Sequence, residues 1–359
     1  MPRQKSAIRR RPLKEEKKRD YSVPRKNRLC VSIAPTNIIQ QQTAFFKSNF
    51  SKNPIFEYQE GSDQQSYISR FEPSSEFLKE AECILDTCLE QYGSETAYLE
   101  QDGGHLLSKE ETLAEFSCYL EKMNLSEVVN IVFSQTAIAP TAVRHNPKTG
   151  ISQVTIAEPI VHRKNRIRGV MHHEIGTHLV RTMNEKLQVW HKKRNQFKLK
   201  SYIETEEGLA SLNTNIEAAW TTGRKPLLWR SALHYYSSYM ASQMSFVELF
   251  NHLEKYIDDP VKRFKEVSRV KRGLKDTGEP GGCYKDQVYL AGAIKILRSR
   301  HLIDFHKFFM GKLSLEDYFR PEMQKRIKCE GGTLPVFLED MPKYLSALDE
   351  IARTNGISN

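Results

Sequence analysis

The segment Gly169-Val-Met-His-His-Glu-Ile-Gly-Thr-His-Leu179 decides how the rest of the chain is read. It falls within a helix expected from about residue 165 to residue 183. Metal-dependent peptidases use His-Glu-x-x-His on a helix. The i, i+4 spacing sets both imidazoles on one face, and the Glu beside the first reaches a metal-bound water. Here the histidines are His173 and His178, one residue further apart, with Glu174 after the first. In a regular α-helix, positions i and i+5 lie about 140° apart, too far round to share an ion. A local π-bulge brings them nearly into line, and Gly176 between them gives the backbone freedom to widen. The spacing therefore predicts a π-bulge or local unwinding near Gly176. On these residues alone, a helix whose histidines satisfy ordinary hydrogen bonds stays open as the alternative. His172 is expected to support or pack rather than to bind an ion.

A catalytic zinc site takes three protein ligands and keeps a fourth position for water. Thr205-Glu-Glu-Gly-Leu-Ala210 supplies a carboxylate at the start of a following helix, with Thr205 as its expected N-cap. Acidic residues also gather in first helical turns because they favour the dipole. The segment gains meaning only beside the His-Glu motif upstream.

Around this centre the period of the sequence changes twice. Residues 77–92 carry apolar residues at helical spacing. Residues 108–123 open on Ser108-Lys-Glu-Glu111, a capping-box pattern for a second helix. Val128–Ser134 is β-branched and reads as a strand. Residues 141–145 and 151–157 flank Asn146-Pro-Lys-Thr-Gly150, the signature of a β-hairpin. Beyond Glu204 the chain is mostly helical. Residues 29–65 are polar, with Phe45, Phe46, Ile55, Phe56 and Tyr58 marking a segment laid against a folded body. The order predicts an α+β protein. It is mainly helical, with a small β-sheet or hairpin before the active-site helix, in the manner of a zincin-like metallopeptidase. A catalytic domain over residues 29–359 is expected, with a sheet-bearing lobe at about 29–185 and a helical lobe at about 186–359.

Of the 54 Lys and Arg and 44 Asp and Glu, residues 1–28 hold 12 and 3, so the formal charge of +10 belongs almost wholly to that stretch. Such a tail is expected to be disordered and drawn to polyanions: RNA, an acidic protein surface or an anionic membrane. It has no apolar h-region of a secretory signal, and no stretch is long and apolar enough to span a bilayer. A cytoplasmic protein with reduced cysteines is expected. The six cysteines form no Cys-x-x-Cys pair.

The His-Glu-x-x-x-His helix and the downstream Glu-Gly-Leu-Ala segment resemble one known family, the microtubule-associated tyrosine carboxypeptidases, with bacterial relatives described by a Gln-Glu-Gly-Leu-Ala motif. Asn53-Pro-Ile-Phe-Glu-Tyr58 and Lys285-Asp-Gln-Val-Tyr-Leu-Ala-Gly292 also look like segments of that family, with its second animal paralogue the nearer likeness. The resemblance implies one Zn2+ ion held by His173, His178 and Glu207, with Glu174 as the catalytic base. Glu206, where the family carries Gln, is the fallback ligand. It also implies removal of the C-terminal tyrosine from the acidic tail of α-tubulin, on microtubules of the cytoskeleton, with no small-molecule cofactor.

A carboxypeptidase needs a cation for the terminal carboxylate, best an Arg. Arg163, Arg166, Arg168, Arg224 and Lys225 are the candidates by position. Tyr284 and Tyr289 are candidates to donate to the oxyanion. Strand 151–157 is a candidate to pair with extended substrate. The basic loop 190–200 is a candidate to steer an acidic partner. Two other readings stay open: a zinc peptidase of different specificity, and a non-catalytic microtubule- or nucleic-acid-binding protein with an inert site.

Overall fold

The computed structural model describes residues 33–137 and 139–358. The expected tail, residues 1–28, and Cys30 lie outside the described residues. The architecture is α+β: mostly helices, with one sheet of three strands, β1 (Val129–Ser134), β2 (Thr141–His145) and β3 (Ser152–Ala157).

The expected local signals act where they are written. Ser108 caps the helix Lys109–Lys122 by accepting from the Glu111 amide, while the Glu111 carboxylate accepts from the Ser108 amide, closing the capping box. The hairpin turn joins β2 to β3 in antiparallel register, Val143 opposite Val154. β1 then pairs with β3 in parallel, Ile131 opposite Val154, so the spatial order is β1-β3-β2. β3 is therefore the central strand, and β2 is an edge strand of the sheet among the described residues.

Residues 29–65 contain a helix, Ile38–Lys47, that the polar composition of this stretch hid. Its buried Phe45 packs with Phe246, Phe250 and Phe264 at ring distances of 4.9–5.4 Å, which ties the segment to the body. Edge and tilted ring pairs of this kind contribute beyond their buried area.

The helix Ile203–Ala219 is buried round most of its circumference, as a central helix must be. It packs against Ile167–Met171, the motif segment, Val288–Ser299 and Met341–Thr354. Two glycines set its closest crossing: a Cβ on Gly208 would lie 2.2 Å from the Gly292 carbonyl carbon, and one on Gly292 would lie 1.9 Å from the Glu204 oxygen. Backbone meets backbone there, which no larger residue permits. Tyr202 rather than Thr205 precedes this helix, and the Thr205 hydroxyl instead accepts from the Leu315 amide at 2.8 Å. Five cysteines are free among the described residues. No helix among them is long and apolar enough to cross a membrane.

Candidate metal centre

The motif lies on one continuous helical rod: α-helix Ile167–Met171, π-helix His172–Leu179, then α-helix Val180–Glu185. The wider π winding carries out the realignment that the five-residue spacing demands. The His173 and His178 rings meet with centroids 4.8 Å apart. Inside the wide turn, the Thr177 hydroxyl donates to the His172 carbonyl at 2.8 Å. Gly176 is required by close approach as well: a Cβ there would sit 2.7 Å from Phe337 and 2.8 Å from the Tyr119 hydroxyl.

Ligand atoms of His173, His178 and Glu207 all lie within 4.8 Å of one another. Two donors about 2 Å from a tetrahedral zinc stand about 3.4 Å apart. The His178 Nε2–Glu207 Oε2 distance, 3.5 Å, already matches that.

Hydrogen bonds orient both rings. The Thr214 hydroxyl donates to the Ala210 carbonyl at 2.9 Å, so toward His173 Nδ1, 3.0 Å away, it acts as acceptor. That fixes the proton of His173 on Nδ1 and leaves an Nε2 lone pair for the cluster. Glu206 does the same for His178: its Oε1 stands 3.0 Å from Nδ1. The carboxylate of Glu206 is itself held by Arg181 at 2.6 Å and Lys312 at 2.9 Å. Partners on the outer nitrogen fix tautomer and orientation in metal-binding histidines generally. The donor set of this cluster, two Nε2 atoms and one carboxylate, fits a zinc ion.

Burial pushes the His173 imidazole down to about 4, reinforced by His178. Burial acts the same way on His178, but Glu206 and Glu207 outweigh it and push the ring up to about 10. With a carboxylate facing each nitrogen, the charged ring is favoured; a divalent ion held at Nε2 would replace the proton there, while Nδ1 keeps its own toward Glu206. Burial would also raise Glu207, yet His178, His173 and Lys285 hold its carboxyl below the usual range. Burial pushes Glu174 up to about 7, with Glu207 adding and His178 and the Val143 amide opposing.

Glu174, His178, Glu206 and Glu207 line a cavity of about 460 Å³. One wall is β2, at Val143, Arg144 and His145; the others include Tyr202, Ile203, Lys285 and Lys312.

The five cations singled out by sequence lie elsewhere. Arg163 donates to the Gly104 carbonyl at 2.7 Å, and Arg166 to the Tyr98 hydroxyl at 2.8 Å. Arg168 faces Glu217 at 4.0 Å, and Arg224 grips Asp102 with two bonds of 2.9 and 3.0 Å. Lys225 lies near Glu350. None of them lines the cavity. Tyr284 lines a second, smaller cavity of about 220 Å³. Tyr289 packs by the His234 ring, and burial together with nearby Glu207 raises its hydroxyl above the ordinary range.

His172 bridges the Tyr119 hydroxyl and Glu217, both at 2.9 Å, as a supporting residue. Strand 151–157 cannot take up substrate, because β3 is paired on both sides. Thr214, Arg181, Lys312 and the supporting role of Glu206 were not anticipated. Thr214 lies two turns beyond Glu207 on one helix, a spacing that carries a signal once the site is suspected.

A family model described as microtubule-associated tyrosine carboxypeptidase matches residues 73–355. The chain is 34% identical over 332 residues to the mouse protein named microtubule-associated tyrosine carboxypeptidase 1, covering 91% of this chain and 68% of the relative. It is 36% identical over 339 residues to the mouse protein named putative tyrosine carboxypeptidase MATCAP2, covering 92% of this chain and 63% of the relative. The human protein named MATCAP2 is 32% identical over 347 residues, covering 96% of this chain and 55% of the relative. The chain thus spans roughly half to two thirds of the length of these relatives.

Proposed function

We propose, for a chain that belongs to the microtubule-associated tyrosine carboxypeptidase family, that it is a zinc-dependent carboxypeptidase removing the C-terminal tyrosine of α-tubulin on microtubules. The observation that carries the reading is the convergence of His173, His178 and Glu207, with Glu174 beside them on the wall of one cavity. The described residues are read as a zincin-like catalytic domain.

His173 and His178, through Nε2, and Glu207, through its carboxylate, would hold the ion. Bound zinc supplies Lewis acidity and brings the pKa of a water down to about 7. The chain's own residues do the rest. Glu206 and Thr214 keep both imidazoles turned toward the cluster. Glu174, which accepts from the Val143 amide, faces the cavity and takes a proton from the attacking water. As the water oxygen bonds to the scissile carbonyl carbon and the C–N bond breaks, Glu174 returns that proton to the leaving amine.

The edge strand β2 orients the peptide. Asn146 bonds Ile151 across the hairpin and Ala157 bonds Pro140, so alternation leaves the Val143 carbonyl and the His145 backbone groups facing away from β3, the Val143 amide already donating to Glu174. An extended chain can pair there, between the edge and the cluster.

The test uses the purified chain, metal analysis and an acidic peptide ending in tyrosine. Stoichiometric zinc and loss of one tyrosine are expected. Glu174→Gln should keep the zinc and lose turnover by at least about 100-fold. Absence of zinc from active protein, or full activity in the Gln variant, overturns the reading.

A further inference from the structure

An exopeptidase must recognise the end of a chain, and the chemistry that marks it is a free carboxylate. That carboxylate lies one residue beyond the reacting carbonyl, and successive Cα atoms are about 3.8 Å apart. Its cation must therefore stand close beside the cluster, inside the cavity.

Three Lys or Arg side chains among the described residues line the cavity: Arg144, Lys285 and Lys312. Lys312 is committed to the Glu206 carboxylate at 2.9 Å and covers the Tyr202 ring. Arg144 is exposed on the edge strand, on the wall that pairs with the peptide backbone. Lys285 is half-buried, and its charge bears on Glu207 itself. No hydrogen bond or ion pair engages its ammonium among the described residues.

The turn that carries Lys285 is fastened from behind. Asp286, next in sequence and 0% exposed, is gripped by Arg269 at 2.7 Å and Arg272 at 2.8 Å. Gln287 accepts from the Ser74 amide at 2.9 Å and donates to the Ser74 carbonyl at 2.8 Å. A lysine without a hydrogen bond or ion pair among the described residues, on a pinned turn in the wall of a cavity that holds a reactive cluster, is preorganised for an anion.

We propose that Lys285 binds the terminal carboxylate of the substrate and so restricts this site to chain ends. The proposal rests on the carboxypeptidase reading and names its specificity-determining residue.

The full chain, Lys285→Met and Lys285→Arg are compared on two acidic peptides ending in tyrosine, one a free acid and one a carboxamide. Zinc content is measured for each. The wild-type chain should prefer the acid. Lys285→Met should lose about 10- to 100-fold more in kcat/KM on the acid than on the amide, mostly through KM. Lys285→Arg should restore most of the preference. If Lys285→Met keeps the preference for the acid, or loses both substrates alike, the proposal fails.

Calorimetric binding of N-acetyltyrosine and its amide to the same proteins separates this failure from failure of the underlying reading. A wild-type preference for the acid that vanishes in Lys285→Met sustains the assignment even in a chain that hydrolyses nothing, and then only the hydrolase reading falls. No preference in the wild type overturns the Lys285 assignment.

Discussion

Glu206 and Glu207 are sequence neighbours with opposite surroundings. Glu207 turns its carboxylate to the two imidazoles, whereas Glu206 is buried behind His178 with Arg181 and Lys312. Burial opposes ionisation of Glu206, but those two cations and His178 outweigh it and hold the carboxyl far below its usual range. Successive helical residues differ by about 100° in direction, so spacing alone could not assign the two roles. The deciding partner Lys312 comes from a distant part of the chain, which no local pattern reveals. The matching support on the other ring is Thr214. Replacing Thr214 by Val keeps its shape and removes the hydroxyl that accepts from His173 Nδ1, leaving the Ala210 carbonyl as the ring's remaining backbone acceptor. Zinc affinity in Thr214→Val should fall about 10- to 100-fold with the fold retained, as measured by competition with a chelator. Unchanged affinity would show that the ring needs no such anchor.

The helix that carries Glu207 depends on how closely it meets its neighbour. Gly208→Ala would drive a methyl into the backbone at Gly292, and neither side has a flexible end to move aside. Overpacking costs about 1–3 kcal/mol where side chains can adjust, and this crossing should reach the upper end. Because Gly208 follows Glu207, the separation of the helices should weaken zinc binding along with stability. A urea midpoint and a zinc titration on one variant check both; loss of stability with intact zinc affinity would uncouple crossing from site. Much of this scale was legible in the sequence. The capping box at Ser108, the turn at Asn146–Gly150 and the five-residue histidine spacing each act through neighbours in the chain. The helix Ile38–Lys47 was not legible, because its polar exposed face masks the one buried anchor, Phe45. Nor was the parallel pairing of β1 with β3, which joins strands that are not consecutive and makes β3 central. Of the candidate cluster, His173, His178 and Glu174 stand out in the motif itself, Glu207 is separable from Glu206 only through the family likeness, and Lys285 carries no signal beyond that likeness.

At the scale of the whole molecule, two kinds of group remote from the candidate metal cluster should each add a stage to the acid response of stability. His162 is 5% exposed and stands 2.9 Å from the Thr141 hydroxyl. Burial lowers its pKa, with the Pro140 carbonyl opposing. As pH falls through about 6.5 the unfolded chain takes up a proton that the folded chain still refuses, so stability declines. His234, also lowered chiefly by burial, adds to the same stage. The second stage belongs to Asp286. Burial would raise its carboxyl, but Arg272 and Arg269 overrule it and hold it well below the usual range. Its stabilisation is complete above the unfolded value of about 4 and is lost as pH falls toward the folded one. Urea unfolding from pH 8 to pH 3 should therefore show a first decline below about pH 7 and a steeper one below about pH 4. His162→Gln should flatten only the first. Asp286→Asn should flatten the second and lower stability by about 3 kcal/mol at pH 7, because two partly buried guanidinium groups lose their partner. Any metal contribution is common to variant and wild type and cancels in the difference. If His162→Gln leaves the slope between pH 7 and pH 5 untouched, the buried histidine does not govern the first stage.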